Sequence, residues 1–201
     1  MLNQKRISDQ RVRARRGRRG SIIMEFAFSF PFMMIVMLGT FVVGLALDRQ
    51  LTVSQLVRNA GNMYARNFDF EPNANKQVLL RAASGLDMQV NSGRGVLYLS
   101  TVRIAPPDSG DNEGLPVVTE RFVIGNPAVS NSDVAMPVAL ADGSVPNHFN
   151  EPDAVASIPQ ALVDNMLLGD SIFVSEVVHQ ASDLQFGGFV APSFLRGKAY
   201  F

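Results

Sequence analysis

From Phe26 to Leu47 the chain runs twenty-two residues without a charged side chain, and this run limits what the sequence can fold into. A helix rising about 1.5 Å per residue would carry it roughly 33 Å, against a bilayer hydrocarbon core of about 30 Å. A secretory signal peptide has a shorter apolar region, of about 7–15 residues, ending in a small-x-small cleavage site. Leu45-Ala46-Leu47-Asp48 does not supply one. A buried core helix is the alternative, but such helices are rarely apolar on every face. The run therefore predicts a membrane-spanning helix.

The flanks give it a direction. Lys5, Arg6, Arg11, Arg13, Arg15, Arg16, Arg18 and Arg19 stand before the run with only Asp9 as acid, a net +7 over residues 1–20. Residues 21–201 carry the compensating −7, so the zero net charge of the whole chain conceals two different surfaces. On the far side Asp48 and Arg49 cancel. The positive-inside rule keeps residues 1–20 in the cytoplasm and sends the chain beyond residue 48 across the membrane. An arginine-rich arm also suits nucleic acid. Placed directly before a spanning helix, it is explained more simply by topology control and contact with anionic lipid, and no nucleic-acid partner is expected. The chain has no cysteine, so disulfides and thiolate metal sites are excluded.

Beyond the run, Leu51, Val53, Leu56, Val57, Ala60, Met63, Tyr64 and Phe68 recur at steps of mostly three and four, with Gln50, Ser54, Gln55, Arg58, Asn59 and Asn62 between them. This predicts one helix from about Ser21 to Asn67, apolar all round at first and then amphipathic, with Pro31 as a kink site and Pro72 as the stop. Residues 73–88 read as a short helix ending near Gly85. Residues 95–104 and 116–125 read as strands joined by the Pro-, Gly- and Asp-rich loop 105–115. Residues 126–157 read as a long irregular excursion with a small turn at Asp142-Gly143. A helix over 157–168, a strand over 170–181 and an edge strand over 195–201 complete an α+β chain whose antiparallel sheet packs on the first helix. The expected divisions are a leader (1–20), a transmembrane helix (21–47), its amphipathic extension (48–70) and an α+β domain (71–201).

One glutamate interrupts the apolar pattern near its start. A carboxylate costs about 2.5–3.5 kcal/mol at the centre of a spanning helix and less near the interface, where Glu25 lies and where it can snorkel. Its spacing from the basic arm is more specific: Gly20 is followed by Ser21-Ile22-Ile23-Met24 and then Glu25-Phe26. This stretch resembles the processing site of type IV-like prepilins of the Flp/Tad branch, in which a basic leader ends in Gly and four residues precede Glu-Phe or Glu-Tyr. Gly17 fits worse, because cleavage there leaves Arg18 and Arg19 on the mature chain. Within the branch, residues 19–66, with Gly20-x4-Glu25-Phe26, Pro31 and "RNAGNMYAR", look most like a TadE-type minor pseudopilin. The major Flp pilin is much shorter and the TadG relatives are much larger, while the TadF relatives share the N-terminal features.

The resemblance implies cleavage after Gly20 by a membrane aspartyl prepilin peptidase, leaving Ser21 as the new N-terminus. Glycine admits a protease to extended backbone at little steric cost. In a filament, Glu25 would pair with the Ser21 amine of a neighbouring subunit and fix the register, since such a pair partly offsets the desolvation of both charges. The implied partners are the prepilin peptidase, other minor pseudopilins, the major Flp pilin, the assembly platform and inner-membrane lipid. The implied location is the bacterial inner membrane, with the C-terminal domain in the periplasm. The rival reading is an uncleaved single-pass anchor with a periplasmic binding or scaffold domain.

Nothing in the sequence points to catalysis or to a cofactor. His148 and His179 stand alone, and Asp108, Asp111 and Glu113 miss the alternate spacing of a calcium loop. Nucleotide, hydrolase and zinc-protease motifs are lacking.

Overall fold

The computed structural model describes residues 2–181 and 193–201, with 2–21 as helical backbone only. The chain divides into two compact units, Met1–Gly44 and Leu45–Phe201. The first is helix alone, part of α1 (Leu2–Ala65). The helix starts well before the expected Ser21, because the arginine-, lysine- and glutamine-rich arm is a good helix former and contains no proline. Pro31 lies inside α1 without ending it.

The stop is also earlier and has a different cause than Pro72. Asn67 adopts a left-handed backbone (φ 59°), and the Phe68 amide bonds to the Met63 carbonyl at 3.0 Å. That six-to-one closure is how a helix ends on a left-handed residue, a place asparagine tolerates.

In the second unit, α2 (Asn73–Ala82), the small pair β1 (Met88–Gln89) and β2 (Ser92–Gly93), and β3 (Gly95–Ile104), β4 (Pro116–Gly125), β5 (Ser171–Gln180) and β6 (Phe194–Tyr200) follow α1. The four long strands form an antiparallel sheet in the order β4-β3-β5-β6. β3 and β4 are the expected hairpin, with an irregularity between Thr101 and Val102. The helix expected over 157–168 shrinks to one turn, α3 (Gln160–Val163), entered from Pro159, whose extended backbone precludes an earlier start.

Strand geometry sends alternate side chains to opposite faces. Leu97, Leu99, Ile124, Val177 and Leu195 form one core with Val53, Leu56, Val57, Ala60 and Tyr64 of α1, as the sheet-on-helix reading expects. Val102, Val118 and Val174 form another core with Val134, Val145, Ala154 and Ala156. Residues 126–157 are therefore a second covering layer, and β3 is buried from Gly95 to Val102 because both of its faces are covered. The Asp142-Gly143 turn closes with Leu140 N donating to Ser144 O at 2.8 Å.

Candidate functional site

The α1 helix carries two different surfaces. From Ile22 to Met37 every side chain is exposed, including Ile22, Ile23, Phe26, Phe28, Phe32 and Met37. Apolar side chains on all sides of a helix need lipid or other helices to cover them. Ile22–Ala65 includes a stretch long and apolar enough to cross a membrane. The polar group of Thr40 is met within the helix, its Oγ1 donating to Val36 O at 2.9 Å.

Gly20 and Ser21 fall on helical backbone, while the side chains of the basic leader and of Ser21 lie outside the described residues. Glu25 lies on the exposed surface, and the neighbouring Phe26 ring stands 5.6 Å from Phe30 one turn on. Residues four apart share a helix face. An amine created at Ser21 would thus lie one turn from Glu25, on the same side of the helix. A peptidase acting at Gly20 would first have to unwind this turn.

The later part of α1 belongs to the second unit and is fitted to the sheet by two glycines. A Cβ at Gly61 would overlap the Phe201 ring, and one at Gly197 would stand 2.9 Å from Val57 Cγ2. Glycine at both places lets backbone and ring approach closely. Below them, Tyr64 meets Phe173 and Phe122 edge-on, with centroids 5.4 and 6.0 Å away. Its hydroxyl is 2.7 Å from Thr101 Oγ1, and Glu120 Oε2 is 3.4 Å from both. Burial raises the Tyr64 pKa, the Thr101 hydrogen bond opposes this, and the Glu120 charge adds to the rise.

The opposite face holds polar residues that sequence reasoning missed. Glu176 (2% exposed) accepts from Ser132 Oγ at 2.6 Å and from Asp133 N at 3.0 Å. Arg121 (3% exposed) donates to Ala135 O at 2.9 Å and lies 4.6 Å over the Tyr98 ring. Tyr98 in turn donates to Ser130 O at 2.7 Å. Burial raises the Tyr98 pKa and lowers that of Arg121. These contacts tie residues 130–137 to the sheet. The sequence signal was charge within β-branched strands, Arg121 beside Glu120 in "PVVTERFVIG" and Glu176 in "SIFVSEVVHQ".

His148 lies by Phe149 with its Nδ1 2.7 Å from Val145 O, while His179 is buried on β5. Among the described residues no group of three or more His, Asp or Glu side chains is arranged to hold a metal ion.

Residues 20–61 match the family model described as TadE-like protein. The N-terminal segment is TadE-like. The TadE-like match begins at Gly20 and ends at Gly61, the residue against the Phe201 ring, so it takes in both the exposed apolar surface and most of the buried one. No curated protein and no solved structure matches the chain.

Proposed function

We propose that this TadE-like chain is a minor pseudopilin of Tad/Flp pilus assembly, cleaved after Gly20 by a prepilin peptidase. In this reading the apolar helix is stored in the inner membrane with its leader in the cytoplasm. After cleavage it joins a bundle of like helices, where Glu25 pairs with a Ser21 amine and Phe26 packs beside it. The α+β domain stands in the periplasm and meets other minor pseudopilins, the major Flp pilin or the assembly platform. The observation that carries this is the coincidence of Gly20-x4-Glu25-Phe26 with an apolar helix exposed on every side, inside the segment matched by the TadE-like family.

Replacing the chromosomal copy with Glu25→Ala tests the role. The expected result is a variant that reaches the membrane and loses its leader while surface pili fall sharply. Normal piliation with Glu25→Ala would contradict it. One observation favours the uncleaved anchor: Gly20 lies on helical backbone, which resists a protease that needs an extended chain. That reading predicts a retained leader and no effect of Glu25.

A further inference from the structure

One of the contacts that hold residues 130–137 to the sheet is made by sulfur. Met136 Sδ accepts from Arg121 Nη2 at 3.1 Å and from Ser132 N at 3.2 Å. A thioether is a weak acceptor. The guanidinium it meets is buried and poorly served elsewhere: Nη1 donates to the Ala135 and Pro137 carbonyls, and Nε has no partner. Buried donors left without a good acceptor are costly, and more so when they carry charge. The sulfur therefore stands where two N–H groups call for an oxygen.

Met136 is also the methionine of the second unit that solvent reaches best. Its side chain is 40% exposed, while Met88 is buried and Met63 and Met166 are partly buried. It lines a cavity of about 390 Å³ together with Tyr98, Phe122, Val138 and Leu140. The cavity leaves room for the sulfur to draw back from Arg121 by the length of one S–O bond. The Ser132 amide has the Met136 sulfur as its acceptor, so it reports on that sulfur directly.

We infer that Met136 is an oxidative modification site, where a hydroperoxide turns the thioether into a sulfoxide whose oxygen takes the bonds from Arg121 and Ser132 and tightens residues 130–137 on the sheet. In the step, a sulfur lone pair attacks the outer oxygen of the hydroperoxide. The O–O bond breaks as the S–O bond forms, so sulfur gives up two electrons and the peroxide is reduced. The proton of the transferred hydroxyl passes to the departing oxygen, and hydrogen peroxide leaves as water. Methionine oxidation ordinarily disrupts packing, because it puts a polar group among apolar ones. Here the oxygen arrives where two N–H groups already point, and the sign reverses. The inference concerns the second unit alone and stands whether or not Gly20 is cut.

The test treats the full chain in detergent micelles with dilute hydrogen peroxide, maps oxygen uptake by mass spectrometry of its peptides and follows exchange of the Ser132 amide by NMR. Met136 is expected to gain one oxygen before Met63, Met88 and Met166. Ser132 exchange is then expected to slow about two- to tenfold, the span of one net hydrogen bond. Reductases for both sulfoxide epimers are expected to restore the original rate. Met136→Leu, close in volume, is expected to keep the fold and to show no slowing under the same peroxide. Oxidation of Met63 or Met166 ahead of Met136 would overturn the inference. So would Ser132 exchange that is unchanged or faster once Met136 is oxidised, since the sulfoxide would then be surface damage. Equal slowing in Met136→Leu would also overturn it, by placing the effect at another methionine.

Discussion

Gly61 of α1 lies so close to the Phe201 ring that a Cβ at position 61 would occupy the ring's own volume. Phe201 thus rests on the residue at which the TadE-like match ends. The helix that contains a stretch long and apolar enough to cross a membrane meets the sheet unit here through a glycine, where an added side chain would require the Phe201 ring to move.

Gly61→Leu should therefore destabilise the second unit even though leucine is the better helix former. Overpacking of this kind costs about 1–3 kcal/mol, against about 1 kcal/mol gained in helix propensity. With roughly 2–4 °C of Tm per kcal/mol for a domain of this size, a net fall of several degrees is expected in thermal melts. Adding Phe201→Ala should restore part of it. An unchanged Tm would show that the ring moves aside at no cost.

Tyr64 gives a pH dependence with a definite sign. Its folded-state pKa is raised above the ordinary value near 10, first by burial, so the folded state holds its proton while the unfolded chain ionises. The stabilisation is complete below about pH 10 and is lost as pH rises beyond it. Melts at about pH 8 and pH 10.5 should show a Tm drop that Tyr64→Phe reduces. At pH 8 the same variant should cost about 1 kcal/mol, because Thr101 Oγ1 loses its partner at 2.7 Å. Equal pH slopes in the two proteins would contradict this.

The polar contacts of residues 130–137 should be unequal. Glu176→Ala strands two donors against a buried strand and should cost about 1.5–3 kcal/mol. Amide exchange should accelerate across 130–137 in that variant. The Arg196–Asp133 pair is about half exposed, and Arg196→Ala should cost less than about 1 kcal/mol. Asp133 is held below the usual carboxylate range, chiefly by its hydrogen bond from Arg196. The small contribution of that pair is thus present above the ordinary carboxylate pKa and fades as pH falls below it. Reversal of the two costs would place the hold on this segment at the surface.

What was legible in the sequence was whatever repeats. The 3.6-residue pattern of Val53, Leu56, Val57, Ala60 and Tyr64 and the β-branched runs around Val96, Val118 and Val177 gave the helix, the strands and the face on which they meet. Residues 126–157 carry no period because they are held by scattered apolar contacts of Val134, Val145, Ala154 and Ala156 and, over 130–137, by single long-range bonds to Glu176 and Arg121, which local sequence does not encode. The helix boundaries shifted for the same kind of reason. Asn67 closes α1 through its left-handed backbone ahead of Pro72, and Pro159 leaves α3 a single turn. At the N-terminus the motif was legible as spacing, but spacing alone did not reveal that Gly20 would sit on helical backbone.

The central claim is that the Gly20–Ser21 bond is cut. Intact mass and N-terminal sequencing of the protein from its native membrane, beside a Gly20→Ala variant, test it directly. The account predicts a native chain beginning at Ser21 and a variant that keeps residues 1–20. A native chain that retains its leader would contradict it and leave the uncleaved anchor in its place.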